Sequence, residues 1–240
     1  MGTGDNMNLQ KRYCPIKMVL KPSGSCWLRL EWDIGGDHYS LLSSTSVMGG
    51  HFELFLQAVY CLYNEEWNAH SNPIRAVKQQ WQFVSENATA QDCRTMVTTE
   101  FLWDKEGSVV NFRFSRILPK NYVEWNLEKD PVNVEIWYNW DRDNSLHSYV
   151  VEGRDLCYAI AKAMTDALKK YGIYGYYRST SDSDNVCMGG YIDPEQFLFV
   201  KAYALSAMET RELTGIKDVY GDDSKSSQID KEIELLLFEM

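Results

Sequence analysis

The chain is 240 residues long, 45% apolar and 24% charged, with 34 acidic against 24 basic side chains and a formal net charge of −10. That composition excludes collagen-like, low-complexity and wholly disordered chains, and at this length about 70% of the unfolded surface is buried on folding, so a core needs neither metal nor disulfide. The acidic balance argues against a nucleic-acid partner, whose phosphates require a basic face, and no apolar run approaches the ~18–20 residues of a membrane span.

Residues 1–12 are polar and glycine-containing and read as a loose N-terminus. The first 25 residues lack an apolar signal-peptide core, so the expectation is a cytoplasmic protein with reduced thiols. Residues 13–212 read as a single α+β domain, in which antiparallel β-hairpins form a sheet with at least three packed α-helices.

Three segments repeat one pattern: β-forming residues, a Trp-Asp pair, a short turn, then β-forming residues again. They run from Trp27 through Trp32-Asp33 and Gly35-Gly36 to Leu42, from Met96 through Trp103-Asp104 and Gly107 to Phe114, and from Val132 through Trp140-Asp141 and Asn144 to Val151. Each predicts a hairpin. In the third, Val132, Val134, Ile136 and Tyr138 alternate with Asn133, Glu135, Trp137 and Asn139, giving one inward and one outward face. The three aspartates fit turn starts, where a carboxylate accepts backbone hydrogen bonds, better than a shared cation site. Their tryptophans fit half-buried strand ends.

Helices follow the hairpins. His51–Tyr63 places Phe52, Phe55, Leu56, Val59, Leu62 and Tyr63 in one apolar stripe. From Arg154 to Tyr171, Leu156, Ile160, Ala163, Met164, Ala167 and Leu168 line one side, and Gly172 stands where a left-handed cap would end the helix. A glycine-tyrosine turn and a polar loop, Arg178–Asn185, come next. A further helix starts at Asp193-Pro194, with Asp193 as cap and Gln196 as its reciprocal partner, and runs toward Glu212. In it Lys201 lays its stem on the apolar face with its ammonium in water. Arg75–Val84 fits helix or strand, with strand the preferred reading, 213–228 reads as a linker, and 229–240 as a short amphipathic helix that either folds back or docks on another chain.

Catalytic signatures are lacking. No phosphate-binding loop, dinucleotide fingerprint, nucleophile elbow or zinc helix occurs, and six cysteines and four histidines show no metal-ligand spacing, so no metal and no cofactor is expected. The best enzymatic constellation is Cys157, in the first turn of a helix that would favour its thiolate, with His147 and Asp155. Glu31, Glu100 and Glu135 could pair as acid and base if the fold gathered them.

Rings and carboxylates on outward faces suit a protein partner of opposite charge. The binding candidates are Trp125, Trp137, Glu135, Tyr174, Tyr176, Tyr177, Asp182 and Asp184. The run Arg154-Asp155-Leu156-Cys157-Tyr158-Ala159-Ile160-Ala161-Lys162-Ala163 through Gly172-Ile173-Tyr174-Gly175-Tyr176, followed by Phe197-Leu198-Phe199-Val200-Lys201-Ala202-Tyr203, resembles small cytosolic bacterial proteins of uncharacterised or toxin-immunity type. That resemblance implies a stoichiometric, non-enzymatic binder that neutralises a basic toxin through an acidic, aromatic-rich surface. No site residue carries over from it. A hydrolytic enzyme with a site built from dispersed Asp, Glu, His or Cys residues, and a structural subunit joined to an assembly by helix 229–240, are the alternatives.

Overall fold

Alternation of side chains dictates the first sheet. In β2 (Trp27–Ile34) every second residue, Leu28, Leu30, Trp32 and Ile34, is buried, and the strand pairs antiparallel with both β1 (Ile16–Pro22) and β3 (Asp37–Ser44). Gly35 and Gly36 join β2 to β3 with φ of 61° and 98°, and two successive left-handed residues are what a tight hairpin turn requires. These coordinates come from a computed structural model, which describes residues 13–22, 27–44, 51–63, 77–85, 93–104, 108–117, 131–139, 141–180 and 194–205. The N-terminal segment 1–12, Trp125, Asp182, Asp184, the cap at Asp193, the linker 213–228 and the helix 229–240 lie outside the described residues.

The second sheet is an antiparallel meander of five strands in sequence order. They are β4 (Lys78–Ser85), β5 (Cys93–Asp104), β6 (Val109–Ile117), β7 (Pro131–Tyr138) and β8 (His147–Glu152). The second hairpin closes with Asp104 opposite Val109. The third differs from the plain turn expected: its connection contains one helical turn, α2 (Arg142–Ser145), N-capped by Asp141, whose side chain accepts from the Asn144 N–H. Asn139 enters that connection at φ 52°, a conformation asparagine tolerates, and its side-chain oxygen accepts from the Val109 N–H at 3.0 Å. The two sheets meet where the Cys14 N–H donates to the Val150 carbonyl at 2.9 Å.

Between the sheets lies an aromatic core. Trp32 of the first sheet stacks on Phe112 of the second, with ring centroids 5.4 Å apart, and meets Phe55 of α1 (His51–Tyr63) edge-on at 5.5 Å. Phe55 in turn meets Phe101 at 4.8 Å. Edge and offset contacts of this kind add to the burial of the rings themselves. Trp32 and Trp103 are fully buried here, not half-buried strand ends, because the opposing sheet and α1 cover the face on which they stand. Burial on α1 extends beyond one stripe: Ala58, Tyr60 and Cys61 are also enclosed, and burial pushes the Cys61 thiol up to about 12.

Helix α3 (Gly153–Thr180) packs against β1 and against α4 (Pro194–Leu205). The stop expected at Gly172 is overturned: the helix continues through Gly172 and Gly175, placing Tyr174, Tyr176 and Tyr177 in helical backbone instead of a turn. A glycine inside a helix costs only about 1 kcal/mol relative to alanine, and an established helix propagates past it. Among the described glycines, Gly35 and Gly36 alone take positive φ. Arg154 reaches from the first turn of α3 to the end of α4, its Nε donating to the Ala204 carbonyl and its Nη2 to the Leu205 carbonyl, each at 3.0 Å. Lys201 corrects another expectation. It is fully buried, its ammonium 5.8 Å from the Phe197 ring, because α4 is enclosed on that side.

Antiparallel hairpins and helices together make a mixed α and β architecture. Among the described residues no helix is long and apolar enough to cross a membrane.

Candidate interaction surface

Alternation along β7 puts Glu135 and Trp137 on the face opposite Val134 and Ile136, and strand register supplies their neighbours. Glu100 of β5, Arg113 of β6 and Glu135 of β7 stand side by side in one cross-strand row. Arg113 donates from Nε and Nη2 to Glu100 Oε2, at 3.1 and 2.8 Å, and from Nη1 to Glu135 Oε2 at 3.3 Å. Arg142, presented by α2, adds a 2.8 Å bond to the same Glu135 oxygen. Both guanidinium groups also lie over Trp137, at 5.4 Å for Arg113 and 5.2 Å for Arg142.

The fold therefore gathers two of the residues singled out as a binding surface, Glu135 and Trp137, but spends them internally. Trp137 is 6% exposed, so its ring is roofed by the protein's own arginines and is not presented outward. Glu100 and Glu135 are each neutralised by a guanidinium, which removes them as the acid–base pair considered above and as a source of negative field. The side chains of Tyr174, Tyr176 and Tyr177 lie outside the described residues.

A second group of carboxylates lies at the β2–β3 turn, where Asp33 and Asp37 are the exposed members. Asp33 and His38 are opposite one another in the register and joined by a 2.6 Å hydrogen bond at His38 Nδ1, while His38 Nε2 lies 3.1 Å from Glu31 Oε2. The hydrogen bond that His38 donates to the Asp33 carboxylate raises the His38 pKa above its ordinary value. Glu31 also accepts from the Ser40 hydroxyl and stands 3.9 Å from Arg29.

On the other side of the same turn, Asp37 is built into a network that joins the sheets. The Tyr149 hydroxyl donates to Asp37 Oδ2 at 2.5 Å, and the Tyr39 hydroxyl lies 2.5 Å from the Tyr149 hydroxyl. Because the Tyr149 O–H is directed at Asp37, Tyr39 is the donor between the two phenols. His147 shares a strand face with Tyr149; its Nδ1 lies 3.5 Å from the Tyr149 hydroxyl and 3.9 Å from Asp37 Oδ2. The three rings set one another's orientation, with Tyr39 perpendicular to both His147 and Tyr149. Burial, reinforced by the Asp37 carboxylate, pushes the Tyr149 phenol well above its usual range, and burial raises Tyr39 too.

The network decides the fate of the Cys157 constellation. His147 is engaged with Tyr149 and Asp37, Asp155 is exposed, and Cys157 is fully buried on the core side of α3, where it packs as a small apolar residue. A nucleophile needs access to its substrate, and this thiol has none. Among the described residues no three His, Cys, Asp or Glu side chains gather to hold a metal ion. Asp37, Tyr39 and Tyr149 were missed in the sequence. Their one legible signal was position: Asp37 and Tyr39 follow directly on the Gly35-Gly36 turn.

Comparison of the chain with family models, with curated proteins and with solved structures finds no match.

Proposed function

We propose that this chain is a non-enzymatic cytoplasmic protein-binding protein that docks a basic protein partner, in the manner of an immunity protein or antitoxin covering a toxin. One observation carries the reading: Glu100 and Glu135 are held by arginines, whereas two exposed carboxylates of the β2–β3 hairpin are not. Glu100 and Glu135 are paired with arginines. Asp33 and Asp37, each with a side chain 56% exposed, have among the described residues only histidines as ion-pair partners. Within a chain of net charge −10, Asp33 and Asp37 make the β2–β3 end a face on which positive charge would land.

Helices α1, α3 and α4 form the packed layer that keeps this end rigid. Support comes from the contacts of Phe55 with Trp32 and Phe101, and from the Arg154 hydrogen bonds that tie α3 to α4. A preformed face of this kind loses little conformational freedom on binding.

The test is capture of the tagged full chain from its native host, identification of the bound protein, and measurement of association at rising ionic strength. The expected partner is basic, associates more slowly as salt increases, and is toxic when expressed without this chain. An acidic partner, or an association rate indifferent to salt, overturns the reading.

A further inference from the structure

We infer that Asp37 and His147 form the anchor for an arginine side chain of the basic partner; this rests on the function proposed above. Asp37 has two carboxylate oxygens in different circumstances. Oδ2 is held by the Tyr149 hydroxyl, which is in turn held by Tyr39. Oδ1 accepts no hydrogen bond among the described residues. Tyr39 and Tyr149 are both more than nine-tenths buried, whereas the side chains of Asp37 and His147 are 56% and 46% exposed. A solvent-facing carboxylate is usually free to rotate. This one is fixed on a buried two-phenol base, with one oxygen turned over to the protein and the other left for a donor.

His147 supplies the second element. Its imidazole lies beside the carboxylate, with Nδ1 3.9 Å from Asp37 Oδ2, and its orientation is set by contact with both tyrosine rings. A planar cation that bonds Asp37 Oδ1 can rest on this ring. Guanidinium fits that demand: it offers several donors in one plane, stacks on aromatic faces and loses little hydration in doing so. Ammonium is a compact, strongly hydrated charge that would gain the ion pair without the stacking. The anchor therefore distinguishes arginine from lysine, which a diffuse acidic surface would not.

The experiment titrates the full chain with hexa-arginine and hexa-lysine peptides, following the His147 ring signals by NMR and affinity by calorimetry. Hexa-arginine should bind more tightly than hexa-lysine. Asp37→Asn should weaken hexa-arginine about tenfold, and Tyr149→Phe, which frees the carboxylate, should weaken it severalfold. His147→Ala should erase the preference for arginine while leaving hexa-lysine unchanged. Asp143→Asn removes the same charge from an exposed site in α2 and should change little. If Asp37→Asn impairs folding, His147→Ala decides the matter, since it leaves the phenol–carboxylate bonds in place. Binding that is equal for both peptides, or equally weakened by Asp37→Asn and Asp143→Asn, overturns the anchor and leaves the broader reading standing. Failure of both peptides to bind at low salt overturns both.

Discussion

Tyr39 and Tyr149 are 110 residues apart in the chain and share a 2.5 Å hydrogen bond between buried hydroxyls. The pair joins the first sheet to the last strand of the second, so its worth is readable as stability. Tyr149→Phe removes the donor to Asp37 and leaves the Tyr39 hydroxyl without that partner, at a cost of about 1–3 kcal/mol. The double change to phenylalanine should cost less than the two single changes summed, because both remove the same bond. Urea denaturation of the three variants measures the coupling.

The turn beside this pair separates steric from conformational cost. A Cβ at Gly35 would lie 2.7 Å from Tyr149 Cδ1, at a φ of 61°. A Cβ at Gly36 would meet nothing within 4 Å, at a φ of 98°. Gly36→Ala should therefore cost only backbone strain, about 1–2 kcal/mol, whereas Gly35→Ala adds a clash that must displace the ring. If urea midpoints show equal losses, the packing of Tyr149 against the turn is wrong.

These two residues also mark what the sequence could reveal. The alternation of β2, that of β7 as far as Ile136, and the Gly-Gly turn are local patterns, and they are legible residue by residue. What closes over each face is not local. Nothing near Trp137 announces that Arg113 and Arg142 will cover it, because one arrives by strand register and the other by a helical turn that replaced a plain hairpin loop. The continuation of α3 past Gly172 and the burial of Lys201 were hidden for a related reason: a small propensity penalty or a snorkelling stem yields to whatever neighbours the fold supplies. The Asp37 network was illegible because its members come from two hairpins far apart in the chain.

Lys201 should give the protein an alkaline stability gain. Burial, helped by the nearby Lys169 charge, lowers its pKa from 10.5 to about 8. Between those values the unfolded chain holds the proton and the folded chain does not, so unfolding free energy rises with pH across that window and is flat in this respect below it. Lys201→Met removes the titrating group and should flatten the rise. Denaturation curves from pH 7 to 10.5 test it, and an unchanged slope in the variant would mean the ammonium is not enclosed as described.

Arg154 fastens α4 to the first turn of α3 by bonding two of its carbonyls, those of Ala204 and Leu205. The residue is exposed, so water takes over part of what is lost on truncation. Arg154→Ala should cost about 1–2 kcal/mol, and amide exchange in α4 should quicken more than exchange in β2. Uniform acceleration through the chain would show that Arg154 contributes to global stability without fastening this helix.

Arg113 offers the sharpest separation of charge from packing. It serves Glu100, Glu135 and the Trp137 ring at once, and its side chain is 26% exposed, between surface and core. Arg113→Met keeps much of the stem over Trp137 but takes the guanidinium away from Glu100, and leaves Glu135 with Arg142 among the described residues. The loss should fall at about 1–3 kcal/mol, between exposed and buried ion pairs. Adding Glu100→Gln to Arg113→Met should restore part of it, because the stranded charge is then gone, while Glu100→Gln alone should destabilise. That reversal of sign is the signature of a neutralised row. Should Glu100→Gln behave identically in both backgrounds, the carboxylate is not held by Arg113 in solution, and the contrast with Asp33 and Asp37 loses its basis.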